Sequence, residues 1–438
     1  MKTSALSPRS GFLALNSAPL LFGVLSLLAG LILAPKAGAV TYTWNGNGSS
    51  VNWGVSGNWT GGTPVSASTT DLIFAGTNNT GTLGTPLNQN IATPFLFQSL
   101  TFDATAGNFF LGGGQLAIVN GSVTSIVQSS ASSQSIANAI THNGSNSAGT
   151  LRLDGDGTGV VTLSGVISNG SGQRTSSILK SGDSTFVLSG TNTFGGTTTI
   201  QAGNLVVGAN APSGSNGALG NATSAVVLGN GSTLASEAPA LLINGAFTVG
   251  RAITVGSIAN AAAYNAILGG SNTSGTATYT GDITFSNTAA NYTATLQAAT
   301  GGTVNFNPGN WTTNNKAITI GSAGNTGTVT ISKELITSGG VTVNFGTLRL
   351  VTSSTFGDST PVTVAGGTFN LDTFGETVGA FVLDGGSVIG TTGKLNTTGS
   401  NFTFRSGSAS AVLEGSAGLL KTTTGTATVS GVNLFSGA

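Results

Sequence analysis

Thirteen carboxylates and one histidine are all that this 438-residue chain offers for acid–base chemistry, so their spacing decides how far that chemistry goes. The densest acidic group is Asp358, Asp372, Glu376 and Asp384. Carboxylates converging from neighbouring turns of a stacked fold would suit cleavage of an extracellular polysaccharide, one donating a proton while another activates water or a nucleophile. No Asp-Asp pair and no Arg-x-Lys accompanies them. His142 precedes Asn143-Gly144 and reads as an exposed turn residue, with no nucleophile or partner base nearby in sequence. The run Asp154-Gly155-Asp156-Gly157-Thr158-Gly159 matches positions one, three and six of a calcium loop, but position twelve is Gly165 where a bidentate Glu is required. It reads instead as a tight turn between Leu153 and Val160. No Gly-Lys-Ser/Thr forms a phosphate loop, and no cysteine is present. The expectation is a non-enzyme with no catalytic, cofactor-binding or metal-binding residue.

The elements that would have to position such groups are short strands. Two alternating apolar residues, a two-residue gap, Gly, a small polar residue and another apolar one recur along the chain. Copies are Leu116, Ile118, Gly121, Ser122, Val123; Thr198, Ile200, Gly203, Asn204, Leu205; Val341, Val343, Gly346, Thr347, Leu348; Val362, Val364, Gly367, Thr368, Phe369; and Phe381, Leu383, Gly386, Ser387, Val388. Alternation at period two puts apolar side chains on one face of a strand, and Gly allows the corner before the next. The last three copies start about 20 residues apart, the length of one coil of a β-solenoid in which each unit buries its face against its neighbours. Further strands are predicted at Val161–Leu163, Thr185–Leu188, Val226–Leu228, Thr328–Ile331 and Asn401–Phe404. Asn210–Asn216 and Asn260–Asn265 read as insertions between coils.

Composition agrees. Sixty-nine glycines supply turns, and charged residues make up 6% against about a quarter in ordinary globular chains. The 39% hydrophobic content argues against disorder. Residues 1–39 read as a secretory signal peptide: Lys2 and Arg9, an apolar run from Leu20 to Leu33, then Ala37-Gly38-Ala39 before a cut at Val40. Its removal leaves 10 basic and 13 acidic residues, a balance that attracts no nucleic acid. Residues 40–90 hold Trp44, Trp53 and Trp59 in a Gly- and Asn-rich setting and read as an N-terminal cap, since the first coil of a solenoid otherwise exposes its apolar end. The alternative is that these indoles stack on sugar rings. Residues 91–438 form the solenoid.

A longer repeat lies over the short one. Leu179-Lys180, Ser189-Gly190, Asn192, Phe194 and Gly196 recur as Leu420-Lys421, Ser430-Gly431, Asn433, Phe435 and Gly437. The segment 179–208 closely resembles the autotransporter-associated β-strand repeat, and 420–438 resembles the first part of a second, truncated copy. The resemblance implies an all-β, right-handed parallel β-helix of the pectin-lyase-like kind with an atypical N-terminal cap. It also implies a secreted or cell-surface passenger of a Gram-negative bacterium, whose repeat assists passage across the outer membrane. The chain shows no translocator barrel, whose strands would carry aromatic girdles, and reads as a passenger fragment served by an outer-membrane translocator outside it. The expected role is structural or adhesive, toward polysaccharide or another cell-surface ligand. An extracellular polysaccharide lyase or hydrolase and a self-assembling matrix component are the alternatives.

Overall fold

The computed structural model describes residues 38–119, 123–143, 148–170, 175–256, 263–287 and 292–437. Residues 1–37 of the expected signal peptide 1–39, Gly121 and Ser122 of the first motif copy, and residues 260–262 of the insertion 260–265 lie outside the described residues. The described strands all belong to one compact unit, Ala39–Ala438.

Among the described residues there is no α-helix, and one 3-10 turn, Ser56–Asn58, interrupts a succession of short strands. The strand period sets the architecture. In Thr70–Phe74, Gly149–Asp154 and Ser176–Lys180 every second side chain is buried, and in each case the strand pairs with one from the coil before and one from the coil after, not with its neighbour in the chain. One face runs in parallel from Val40–Trp44 through Ser99–Phe102, Val123–Gln128, Thr198–Ile200, Val226–Leu228, Ile253–Val255 and Ile283–Phe285 to Trp311–Thr312. A second face runs from Gln134–Ile136 to Gly418–Lys421. A further column stacks Thr276–Tyr279, Thr303–Phe306, Thr328–Ile331, Thr347–Leu350 and Thr368–Asn370. The chain is a parallel β-helix. Register advances from Val341 to Val362, Phe381, Phe402 and Leu419, that is by 21, 19, 21 and 17 residues.

Two features hold the coils together. Apolar side chains form one continuous buried core from Tyr42 to Ala417, so each coil removes its neighbour's apolar face from water. At one corner the glycines of the short motif stack directly. A Cβ on Gly346 or Gly367 would lie 2.6 and 2.8 Å from the carbonyl oxygen of Gly327 and Gly346 respectively, and one on Gly386 or Gly407 closer still to the glycine carbonyl of the preceding coil. The motif keeps Gly because the previous coil occupies the space of a side chain.

At the N-terminal end Trp59–Thr60 folds back antiparallel on Val40–Trp44, pairing Thr43 with Thr60 and Trp44 with Trp59. This covers a strand edge that would otherwise present unpaired N–H and C=O groups. Trp44 and Trp59 pack edge to face at 5.0 Å, Trp53 and Trp59 at 5.7 Å, and Phe74 sits among all three. Trp44 and Trp53 are fully buried and Trp59 is 4% exposed, so none offers a face to a sugar.

Candidate functional site

The long repeat is built around Lys180 and Asn192, two of the residues that recur in its second copy. Ser176–Lys180 alternates inward and outward side chains, which turns Ile178 and Lys180 to the interior. Lys180 is fully buried. Its ammonium donates to the carbonyl oxygens of Ser181 at 2.7 Å and Gly182 at 2.6 Å in its own turn, and to that of Ala202 in the next coil at 3.2 Å. The Phe186 ring lies 5.8 Å from it. Burial lowers the pKa of this amine to about 8 against the pull of Asp154, Asp183, Asp156 and Glu237, which favour the charged form. Gly203 leaves the room: a Cβ there would stand 2.7 Å from Nζ.

Asn192 holds the opposite corner. Its Oδ1 accepts the N–H of Ile167 at 2.8 Å and its Nδ2 donates to the carbonyl of Ala218 at 2.7 Å, so one buried side chain satisfies backbone groups on both sides. The second copy repeats each device in part, with Lys421 exposed and the Asn433 Nδ2 turned to the Gly431 carbonyl of its own turn. Lys421 donates to the carbonyl of Thr423, which stands at the place of Gly182, and Asn433 accepts from the N–H of Leu413 at 2.9 Å.

The calcium-like run lies one coil earlier, where Asp154 ends a strand and the N–H groups of Gly157 and Gly159 bond to the carbonyls of Gln128 and Ser130 in the coil before. Asp154 Oδ1 accepts the N–H of Gly155 at 2.9 Å, and Asp156 Oδ1 accepts that of Asp183 at 3.2 Å. Among the described residues no three His, Asp or Glu side chains gather as a metal site.

The acidic group of the C-terminal coils does not share one set of partners. Asp384 pairs with Arg405 at 2.9 Å and Asp372 stands 4.0 Å from Arg349, both on the surface. Glu376 is buried and accepts the N–H groups of Thr355 at 2.7 Å and Phe356 at 3.1 Å, closing the turn that precedes Phe356. Burial pushes its carboxyl up to about 7, opposed by those two N–H groups and reinforced by Asp358 and Glu334.

His142 corrects the sequence reading. It ends the strand Ile140–His142 and is 2% exposed rather than displayed in a turn. The alternation that buries Ile140 also turns His142 inward, and Gly149 makes space beside its ring. Asn192 and Glu376, and Lys180 through one of its three bonds, reach carbonyls and N–H groups of other coils, a relation that only the coil register reveals. The one signal available in sequence was the recurrence of Lys and Asn at the same offset in both long copies.

Compared with known families, residues 178–207 match the passenger-associated transport repeat. No curated protein and no solved structure matches the chain. The segment containing Lys180 and Asn192 is thus similar to a passenger-associated transport repeat.

Proposed function

We propose that this chain is a passenger exported through an outer-membrane translocator and displayed on, or released from, a Gram-negative cell, where it serves as a structural or adhesive β-helix and not as an enzyme. The observation that carries this reading is the transport repeat at 178–207, whose strands lie on two successive coils of a continuous stack, Ile178–Lys180 pairing with Thr198–Ile200 and Thr185–Leu188 with Asn204–Val207. Backbone hydrogen bonds join each coil to the one before, the Gln201 N–H donating to the Lys180 carbonyl at 2.8 Å and the Thr197 carbonyl accepting the Ile178 N–H at 2.9 Å. A chain emerging from a pore can therefore add coils one at a time on those already formed, and each closed coil opposes backward sliding.

The outward faces favour adhesion through many weak contacts. Thr276, Thr303, Thr328, Thr347, Thr368, Ser387, Ser408 and Thr428 stand in register on successive coils. Hydroxyls repeating at about 4.8 Å suit a polysaccharide or another hydrogen-bonding surface. The test is deletion of residues 179–208 from the protein in its native host. Surface yield is expected to fall several-fold with transcript unchanged, and undiminished yield would overturn the export role of the repeat.

A further inference from the structure

Lys180 stands where the fold asks for an apolar side chain. Pairing aligns it with Leu153 in the coil before and Ile200 in the coil after, and the column continues through Leu228, Val255 and Phe285. All five of those partners are buried and apolar. Lys421 stands at the end of a second such column, Ile320, Val343, Val364, Leu383 and Phe404, but there it is exposed. Stability does not explain the buried Lys180, because replacing a buried charged group by an apolar one of similar volume is commonly neutral or favourable.

What the charge adds is position. The strands are short and alternate with period two, so sliding one past its neighbour by two residues leaves every apolar side chain facing inward. Hydrophobic burial alone discriminates weakly against that slip. The ammonium adds one contact that depends on register. Two of its acceptors, Ser181 and Gly182, belong to its own turn, whereas Ala202 belongs to the next coil. A two-residue slip carries the Ala202 carbonyl about 6.6 Å along the strand and leaves the buried ammonium with its two own-turn acceptors and one donor unpaired.

We infer that Lys180 is a register pin: a positioning residue that admits the coil beginning at Thr198 in one alignment and rejects the alignment two residues away. The inference concerns how the repeat folds and stands whether or not the chain is exported.

The full chain has no cysteine, so paired cysteines report register directly. One pair replaces Leu179 and Thr199, outward-facing partners in the native alignment. The others replace Leu179 and either Thr197 or Gln201, which become partners only after a slip. In the native register the slipped pairs lie roughly 8 Å apart, beyond disulfide reach. After refolding and mild oxidation, the Lys180 chain is expected to cross-link the native pair and leave the slipped pairs open. Lys180→Met should fold with an unchanged or higher denaturant midpoint, yet raise the slipped cross-links at least tenfold. Lys180→Arg, which keeps the donors, should restore native-only cross-linking. Slipped cross-links in the Lys180 chain, or native-only cross-linking in Lys180→Met, would overturn the inference. So would a Lys180→Met chain that fails to fold, since the ammonium would then be a stabilising contact and not a selector.

Discussion

Glu376 is the residue whose burial has the clearest consequence for solution behaviour. Its carboxyl titrates near 4.5 in an unfolded chain and at about 7 in the folded protein, with burial as the cause. Between those values the folded state holds a proton that the unfolded state has released. Its contribution to stability is thus complete below pH 4.5 and is lost as pH rises through 7, by up to about 3 kcal/mol. Glu376→Gln keeps a neutral side chain with a carbonyl acceptor for Thr355 or Phe356. It should therefore flatten the dependence while leaving the acidic-pH stability within about 1 kcal/mol. Urea midpoints for both proteins from pH 4 to pH 8 give the answer as a difference, in which other titrations cancel. Parallel curves would mean that the carboxyl carries no such shift. Sequence placed Glu376 in a cluster with Asp358, Asp372 and Asp384 because the four are close along the chain. Closeness along the chain says little in a coil of about 20 residues, where the turn determines which face a side chain takes. His142 was misplaced for the same reason: Asn143-Gly144 signalled a turn, while the inward phase of Ile140 and His142 outweighed it.

Strands were the most legible level, since period-two alternation is a local property. Thr185–Leu188, Val226–Leu228 and Thr328–Ile331 form as read from sequence, and Val160–Leu163 begins one residue early. Asn401–Ala409 runs past the expected end at Phe404, and its partner Phe381–Ile389 likewise continues through the corner with a register shift around Asp384. Gly385 and Gly407, both at φ 110°, let the chain bend there without breaking the ladder. A bulge of this kind depends on the neighbouring coil, which is why the motif alone marked a corner. The corner glycines give a sharp test of stacking. A methyl on Gly367 would meet the Gly346 carbonyl and the Val343 side chain, so Gly367→Ala should cost about 1–3 kcal/mol through overpacking. Thr368→Ala, one position on at a half-exposed outward site, should cost under about 0.5 kcal/mol. Denaturant titration of the two variants separates the cases. Equal effects would mean that the corner has slack and that glycine serves the turn alone.

At the scale of the whole β-helix, contacts reach from each coil to the next and rarely further. Few charges act at a distance: the four surface ion pairs described are partly exposed and contribute little. Stability should then be a sum of coils and of interfaces between adjacent coils. Two lesions far apart in the stack test this. Trp53→Ala removes an indole buried against Trp59, Phe74 and Phe95 and is expected to cost about 3–5 kcal/mol. Its effect on hydrogen exchange should be confined to strands near the N-terminal end, from Val40–Trp44 to Ser99–Phe102, with the amides of Val362–Val364 and Thr368–Asn370 as protected as before. Gly367→Ala should do the reverse. Combined, the two substitutions should add within about 0.5 kcal/mol, since they share no neighbours. Loss of protection along the entire stack from either substitution alone would show that the coils unfold as one cooperative block. Coil-by-coil addition during export would then lose its physical basis, because a partly emerged stack would have no stable folded portion to hold the chain outside.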